Sequence, residues 1–178
     1  LEFFVFTEWA LNFYEKSAQV SLISGSNLVD YKFNENYTCN YSEYINIWGW
    51  AGWRDKTWKI FNPYLSIDQL DSLNGKNLNF QSLNFLERLY WKNIFKHSIF
   101  SHKIWDFYLQ FALFSSNSLS VYPCKNLVYN IGFNETSTHM KVIPEYVLKS
   151  KPRSSSLLLD TFKVPDKLVP NKIRDSYL

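Results

Sequence analysis

The chain of 178 residues has little cysteine, histidine, methionine or glycine: two, three, one and five residues respectively. The two cysteines, Cys39 and Cys124, have no short metal-ligand spacing and do not amount to a disulfide framework, so a reducing compartment, the cytoplasm, is the simpler expectation. No stretch approaches the roughly 20 apolar residues of a membrane span. A concentrated basic patch is also missing: 19 Lys and Arg against 16 Asp and Glu give a net charge of +3, spread along the chain, which argues against a nucleic-acid partner. Phe3-Phe4-Val5-Phe6 is too short for a signal peptide and lacks its basic flank, and a first residue Leu1 reads as a chain cut from something longer. No internal repeat is visible.

What the chain does have is aromatic residues: 15 Phe, 12 Tyr and 7 Trp, 19% of the sequence. Three of the tryptophans fall in Ile47-Trp48-Gly49-Trp50-Ala51-Gly52-Trp53-Arg54. Indoles can cover the C–H face of a pyranose while keeping an N–H for a hydroxyl, and glycine lets the main chain turn at positive φ or approach a ligand. A packed corner in an aromatic core explains the same residues equally well.

The size suits one ordinary domain, since about 150 residues bury roughly 70% of their unfolded surface. Phe6, Trp9, Ala10 and Phe13 lie at helical spacing within Phe3 to Lys16. Val20 to Ile23 reads as a strand ending in Ser24-Gly25-Ser26-Asn27. Val29 to Tyr44 shows no sustained period and reads as an irregular or hairpin segment. Ser66 to Leu73 predicts a helix capped by Ser66 and stopped at Asn74-Gly75. Phe80 to His97 predicts one longer supporting helix, with Phe85, Leu86, Leu89, Tyr90 and Phe95 on its apolar side. Asp106 to Ser116 predicts another, followed by strands over Leu119 to Tyr122 and Leu127 to Ile131. The alternation argues for an α/β layer architecture. Residues 1–148 form the expected domain body and residues 149–178, opening on Lys149-Ser150-Lys151-Pro152-Arg153-Ser154, a linker and a tail wrapping the surface.

Three islands occur in order: the Trp/Gly segment, Trp105-Asp106, and Asn126-Leu127-Val128-Tyr129-Asn130-Ile131-Gly132-Phe133-Asn134-Glu135-Thr136-Ser137-Thr138-His139. In wording, order and spacing the series resembles a bacterial group of nucleotide-diphospho-sugar glycosyltransferases of the GT-A fold, related to family 2 enzymes and described as hemolysin-like. The likeness covers about Leu1 to Met140. It implies a Rossmann-like α/β fold of which this chain holds the C-terminal, acceptor-side half, with a mixed sheet and flanking helices. It also implies transfer of a sugar from a nucleotide-diphospho-sugar donor to a glycan acceptor in surface polysaccharide synthesis, with inversion. The family's acidic DXD element is missing from these residues and is expected directly before Leu1, so the isolated chain is expected to be inactive. Two smaller departures are Phe107-Tyr108-Leu109 after the acid and Asn134-Glu135-Thr136-Ser137 before Thr138-His139.

By this resemblance Asp106 is the base that takes the acceptor hydroxyl's proton, a role typically worth about 10²- to 10⁴-fold in rate. Read without it, Asp106 is more simply a helix N-cap. His139 is the implied ligand of a divalent metal, Mn²⁺ or Mg²⁺, that neutralises the leaving diphosphate; of the two, Mn²⁺ accepts imidazole more readily. Trp48, Gly49, Trp50, Trp53 and Trp105 are the substrate-binding candidates, with at least one Trp expected in the core. Arg54 reads as an exposed ion-pair partner, and His97 and His102 as surface or capping residues. The competing functions are a non-catalytic carbohydrate-binding module built on Trp48, Trp50 and Trp53, and a structural domain whose aromatics fill a core. No transmembrane segment is encoded; peripheral association with the inner face of the cell membrane is compatible with the sequence.

Overall fold

Among the described residues four short strands form one mixed sheet in the order β2-β4-β1-β3. They are β1 (Val20–Ser24), β2 (Cys39–Ser42), β3 (Trp50–Ala51) and β4 (Leu119–Pro123). The computed structural model describes residues 1–29, 37–76, 78–101, 104–133, 142–150 and 162–175. Within them the helices are α1 (Glu2–Phe13), α2 (Thr57–Ile60), α3 (Ile67–Lys76), α4 (Leu78–Ser82), α5 (Phe85–Ser101), α6 (Trp105–Ser116), α7 (Glu145–Lys149) and α8 (Lys172–Asp175). The chain is thus α/β, with helices flanking an open sheet.

The centre of the sheet is the parallel pair β1 and β4, whose residues are buried throughout, as expected for strands covered on both faces. Pleating sends alternate side chains of β1 to opposite faces. Ile23 joins Phe6, Ala10 and Tyr14 under α1, whereas Leu22 joins Leu109 and Leu113 of α6 on the other face. A third cluster lies farther out, where Phe95 of α5 and Phe111 and Phe114 of α6 meet Leu70, Leu73 and Phe80.

Several sequence expectations need correction. In the Val29 to Tyr44 segment, expected to be irregular or a hairpin, the described residues form β2, paired antiparallel with β4 from Cys39 opposite Pro123 to Ser42 opposite Ser120; residues 30–36 lie outside the described residues. Gly75 does not stop α3, which runs on to Lys76. The single helix expected over Phe80 to His97 is broken: α4 ends at Ser82, and a new capping box starts α5. In that box Glu87 N–H donates to Asn84 Oδ1 at 2.9 Å and Asn84 N–H to Glu87 Oε2 at 2.7 Å. Of the apolar side expected for this helix only Phe95 is buried; Phe85, Leu86, Leu89 and Tyr90 face outward. The strand expected over Leu127 to Ile131 is an irregular segment whose Leu127 N–H donates to Gly25 O at 3.1 Å. Both edges of β1 are already taken by β3 and β4, and both edges of β4 by β1 and β2, so a further strand has no central edge to join.

Residues 162–175 lie against the body. Phe162 stacks on Trp9 with centroids 4.2 Å apart, and Asn171 N–H donates to Tyr41 O at 2.8 Å. Asp175, which is buried, accepts from Ser42 Oγ at 2.6 Å, and Lys172 forms an ion pair with the buried Glu43.

Candidate functional site

The segment from Glu43 to Ile47 crosses from the end of β2 to the start of β3, and one buried side chain of α6 holds it. Gln110 Oε1 accepts from Ile45 N–H at 2.9 Å, and its Nε2 donates to Glu43 O at 2.9 Å. Ser24 at the end of β1 donates to Asn46 O at 2.7 Å. The chain is thereby delivered to the Trp/Gly segment at the C-terminal end of the parallel strands. In open α/β sheets that end is where ligands bind.

There the three islands meet. Trp50, on β3, has its ring centroid 5.8 Å from that of Trp105, the first residue of α6. Trp48 contacts Phe133 edge to face at 5.5 Å. Gly49, at φ +63°, sits so close to Val128 that an added Cβ would lie 2.6 Å from Val128 Cγ2. The first island therefore touches both of the others, although 50 residues or more separate it from each.

The tryptophans do not share one surface. Trp50 packs on the α6 side with Leu22, Leu109 and Leu113, whereas Trp53 packs on the α1 side with Phe6, Ala10 and Ile23. Trp53 is also committed elsewhere: its indole N–H donates to Leu11 O at 3.2 Å, and Lys56 Nζ lies 3.7 Å from its ring centroid. Lys56 donates in turn to Tyr14 O at 2.7 Å and Ser17 O at 3.1 Å, closing the C-terminal end of α1. Desolvation lowers the pKa of this ammonium, with the Asp55 and Glu15 carboxylates acting against the shift. Trp53 is accordingly the core tryptophan of the set. A residue not singled out by sequence takes its place beside Trp50: Trp58 of α2, 6.0 Å away and 54% exposed. With Trp105, 44% exposed, Trp50 and Trp58 form a three-indole surface. The signal for Trp58 was its spacing of eight from Trp50, which carries meaning only once β3 is seen to turn directly into α2.

Asp106 adjoins this surface as the second residue of α6. Ile104, not Asp106, occupies the N-cap position, and it makes no side-chain capping bond. Asp106 Oδ1 accepts from Phe107 N–H at 3.1 Å, and the amide dipoles of the first turn favour a negative charge there. Gln110, which pins Ile45, is one turn farther along the same helix.

Gly49 does not lie open to a ligand in the way its sequence suggested, because Val128 and Phe3 crowd the space where a side chain would be. Gly52 is likewise filled, by Thr57, whose hydroxyl accepts from Trp53 N–H at 2.9 Å and donates to Ser21 O at 2.5 Å. His139 and His102 lie outside the described residues. His97 is exposed on α5. Among the described residues no group of three or more His, Cys, Asp or Glu side chains could hold a metal ion. Those residues thus do not by themselves fit a divalent-cation site.

A cavity of about 520 Å³ lies on the other flank of Gln110, between α5, α6 and the Tyr44–Asn46 segment. Tyr44, Tyr90 and Trp91 give it aromatic walls and Glu87 and Asp175 give it acidic ones. Burial first, then the Glu87 and Asp175 carboxylates, raise the pKa of the Tyr44 phenol.

Comparison with family models, with curated proteins and with solved structures returns no match.

Proposed function

We propose that the chain is the acceptor-side part of a cytoplasmic, GT-A-type glycosyltransferase that moves a sugar from a nucleotide-diphospho-sugar onto a glycan. The observation that carries this reading is the meeting of the three islands: Trp50 against Trp105, Gly49 against Val128 and Trp48 against Phe133. Segments that only pack a core have no need to gather at the C-terminal end of a parallel pair beside a solvent-facing indole cluster. A carboxylate at the edge of that cluster has the chemistry of a base.

In this reading the exposed faces of Trp58 and Trp105, backed by Trp50, hold the acceptor sugar. Asp106 accepts the proton of its attacking hydroxyl as the new C–O bond forms. The bond to the diphosphate breaks on the opposite face of the anomeric carbon, so the configuration inverts. No step is assigned to a metal.

The test is transfer by the natural gene product containing this chain, with a panel of UDP-, GDP- and dTDP-sugars, in the presence and absence of Mn²⁺. Asp106→Asn should abolish transfer while leaving donor and glycan binding in place. A fully active Asp106→Asn enzyme would refute the assignment. The exposed indoles also favour a second reading, a non-catalytic glycan-binding surface. It requires glycan binding lost in Trp58→Ala, with no transfer from any donor.

A further inference from the structure

The outward face of α5 is the largest feature that the proposed reaction leaves unexplained. Phe95 and Ser98 turn inward and are buried, while Trp91 packs on Tyr44, Phe95 and Phe114. The opposite side carries Phe85 at 70% exposure, Leu86 at 72%, Leu89 at 47%, Tyr90 at 58% and Phe100 at 66%. On a helical projection of 100° per residue these five span an arc of roughly 140°, centred opposite Trp91 and Phe95. Exposed Lys96, Asn93 and His97 fall within the same arc between Tyr90 and Phe100, so the continuous apolar patch is Phe85, Leu86, Leu89 and Tyr90 on the first two turns. Isolated exposed apolar residues are ordinary, but four clustered on one face call for a partner.

The charges on this helix choose the partner. Arg88, Lys92 and Lys96 follow at intervals of four along one flank of the apolar stripe, and a groove on the helix surface is lined jointly by Phe85, Leu89, Arg88 and Lys92. The helix's single acid, Glu87, falls on the opposite side of the projection and is bound to Asn84 N–H in the capping box. A partner for this face has to answer both the apolar stripe and the three cations beside it. An anionic bilayer answers both halves: the phosphate layer meets the Arg and Lys heads while their stems and the apolar stripe enter the acyl boundary. No described helix is long and apolar enough to cross a membrane, so contact through α5 would be along the surface.

We infer that α5 docks the protein on an anionic phospholipid surface, its first turns lying in the interface plane with Phe85, Leu86, Leu89 and Tyr90 inserted and Arg88, Lys92 and Lys96 at the headgroups. The test is flotation of the full chain with vesicles of phosphatidylcholine alone and of phosphatidylcholine mixed with phosphatidylglycerol. Binding is expected only to the mixed vesicles and should weaken as salt rises. Each of Arg88→Gln, Lys92→Gln and Lys96→Gln should lower affinity about fivefold. The pair Leu86→Asp and Leu89→Asp should lower it roughly a hundredfold. The substituted apolar side chains are exposed, so far-UV circular dichroism should match the parent and separate lost docking from lost folding. Absence of vesicle binding, equal binding to neutral vesicles, or binding that survives the Leu86/Leu89 pair overturns the inference. So does self-association that the same pair abolishes while vesicles stay unbound, which would make the face a contact between copies of the chain.

Discussion

Gln110 offers a sharp test of how the site is held in place. It is 1% exposed, and both ends of its amide are used on main-chain groups of the crossing segment, Ile45 N–H and Glu43 O. The orientation of the amide is forced, because only its oxygen can accept from an N–H and only its nitrogen can donate to a carbonyl. Gln110→Leu keeps nearly the same shape but strands one partly buried donor and one buried acceptor. At about 1–3 kcal/mol for each stranded group, less about 1 kcal/mol recovered by burying an apolar side chain instead of an amide, the expected loss is about 3 kcal/mol. Equilibrium urea unfolding with a slope of about 2 kcal/mol/M should then show the midpoint falling by about 1.5 M with the slope unchanged. Gln110→Glu separates the two bonds: an ionised carboxylate can still accept from Ile45 but faces Glu43 O without a proton to donate. The native state would therefore hold a proton that the unfolded chain releases, and its stability should fall as pH rises above the ordinary glutamate value of about 4.3. A loss below about 0.5 kcal/mol for Gln110→Leu would mean that the crossing segment is held by something other than this amide.

Four further outcomes are expected. Thr57→Val removes the hydroxyl between Trp53 N–H and Ser21 O and should destabilise by about 2–4 kcal/mol, read as the thermal midpoint. Gly49→Ala must place a Cβ at φ +63° against Val128 and Phe3; a loss of about 2–4 kcal/mol in urea unfolding is expected, and no loss would show the turn to be free to relax. Trp58→Ala should leave stability within about 1 kcal/mol but weaken glycan binding roughly tenfold by calorimetry, because covering roughly 60 Å² of indole is worth about 1.5 kcal/mol. Burial pushes the Cys39 thiol up to about 12 and Cys124 up to about 11 from an ordinary 9.0. The folded state thus keeps protons that the unfolded chain loses, so stability is complete below pH 9 and declines from there through pH 11–12. The Cys39 thiol, which is fully buried, should also resist a disulfide reagent at pH 8, and its rapid modification in the native protein would contradict that burial.

The elements most legible in the sequence were those with a single readable signal. α1, β1, α6 and β4 carry one-sided stripes or short β-prone runs, and all four form within a few residues of their expected bounds. α5 misled because its apolar residues lie on both sides, and periodicity alone does not say which side meets the core. Trp91, Phe95 and Ser98 go inward because they meet Tyr44, Phe114 and the hydroxyl of Tyr108, a choice made by tertiary contacts. β2 was hidden because Cys39-Asn40-Tyr41-Ser42 has no β-branched residue; its pairing with β4 supplies what propensity does not. The opposite error arose at Leu127 to Ile131, where an apolar run suggested a strand but the sheet had no free central edge.

The Trp/Gly segment gathers distant parts of the chain around it, in a way that differs from what its composition suggests. Its glycines are occupied within the protein itself: Gly49 is packed by Val128 and Phe3, and Gly52 by Thr57. Gly25, at the end of β1, is covered by the Phe3 ring and Val128 in the same way. Gly25 and Gly49 let α1, the two strand ends and the 126–133 segment close to van der Waals contact, and a larger residue at either would drive them apart, while one at Gly52 would displace Thr57. Recognition of a ligand then falls to side chains at the rim of that contact. Because pleating puts Trp50 and Ala51 on opposite faces of β3, Trp50 alone of the segment's indoles reaches the α6 side, and its exposed neighbours come from α2 and from the start of α6. The surface proposed to hold the sugar is therefore assembled from three parts of the chain, with Asp106 at its edge because the helix carrying it begins there.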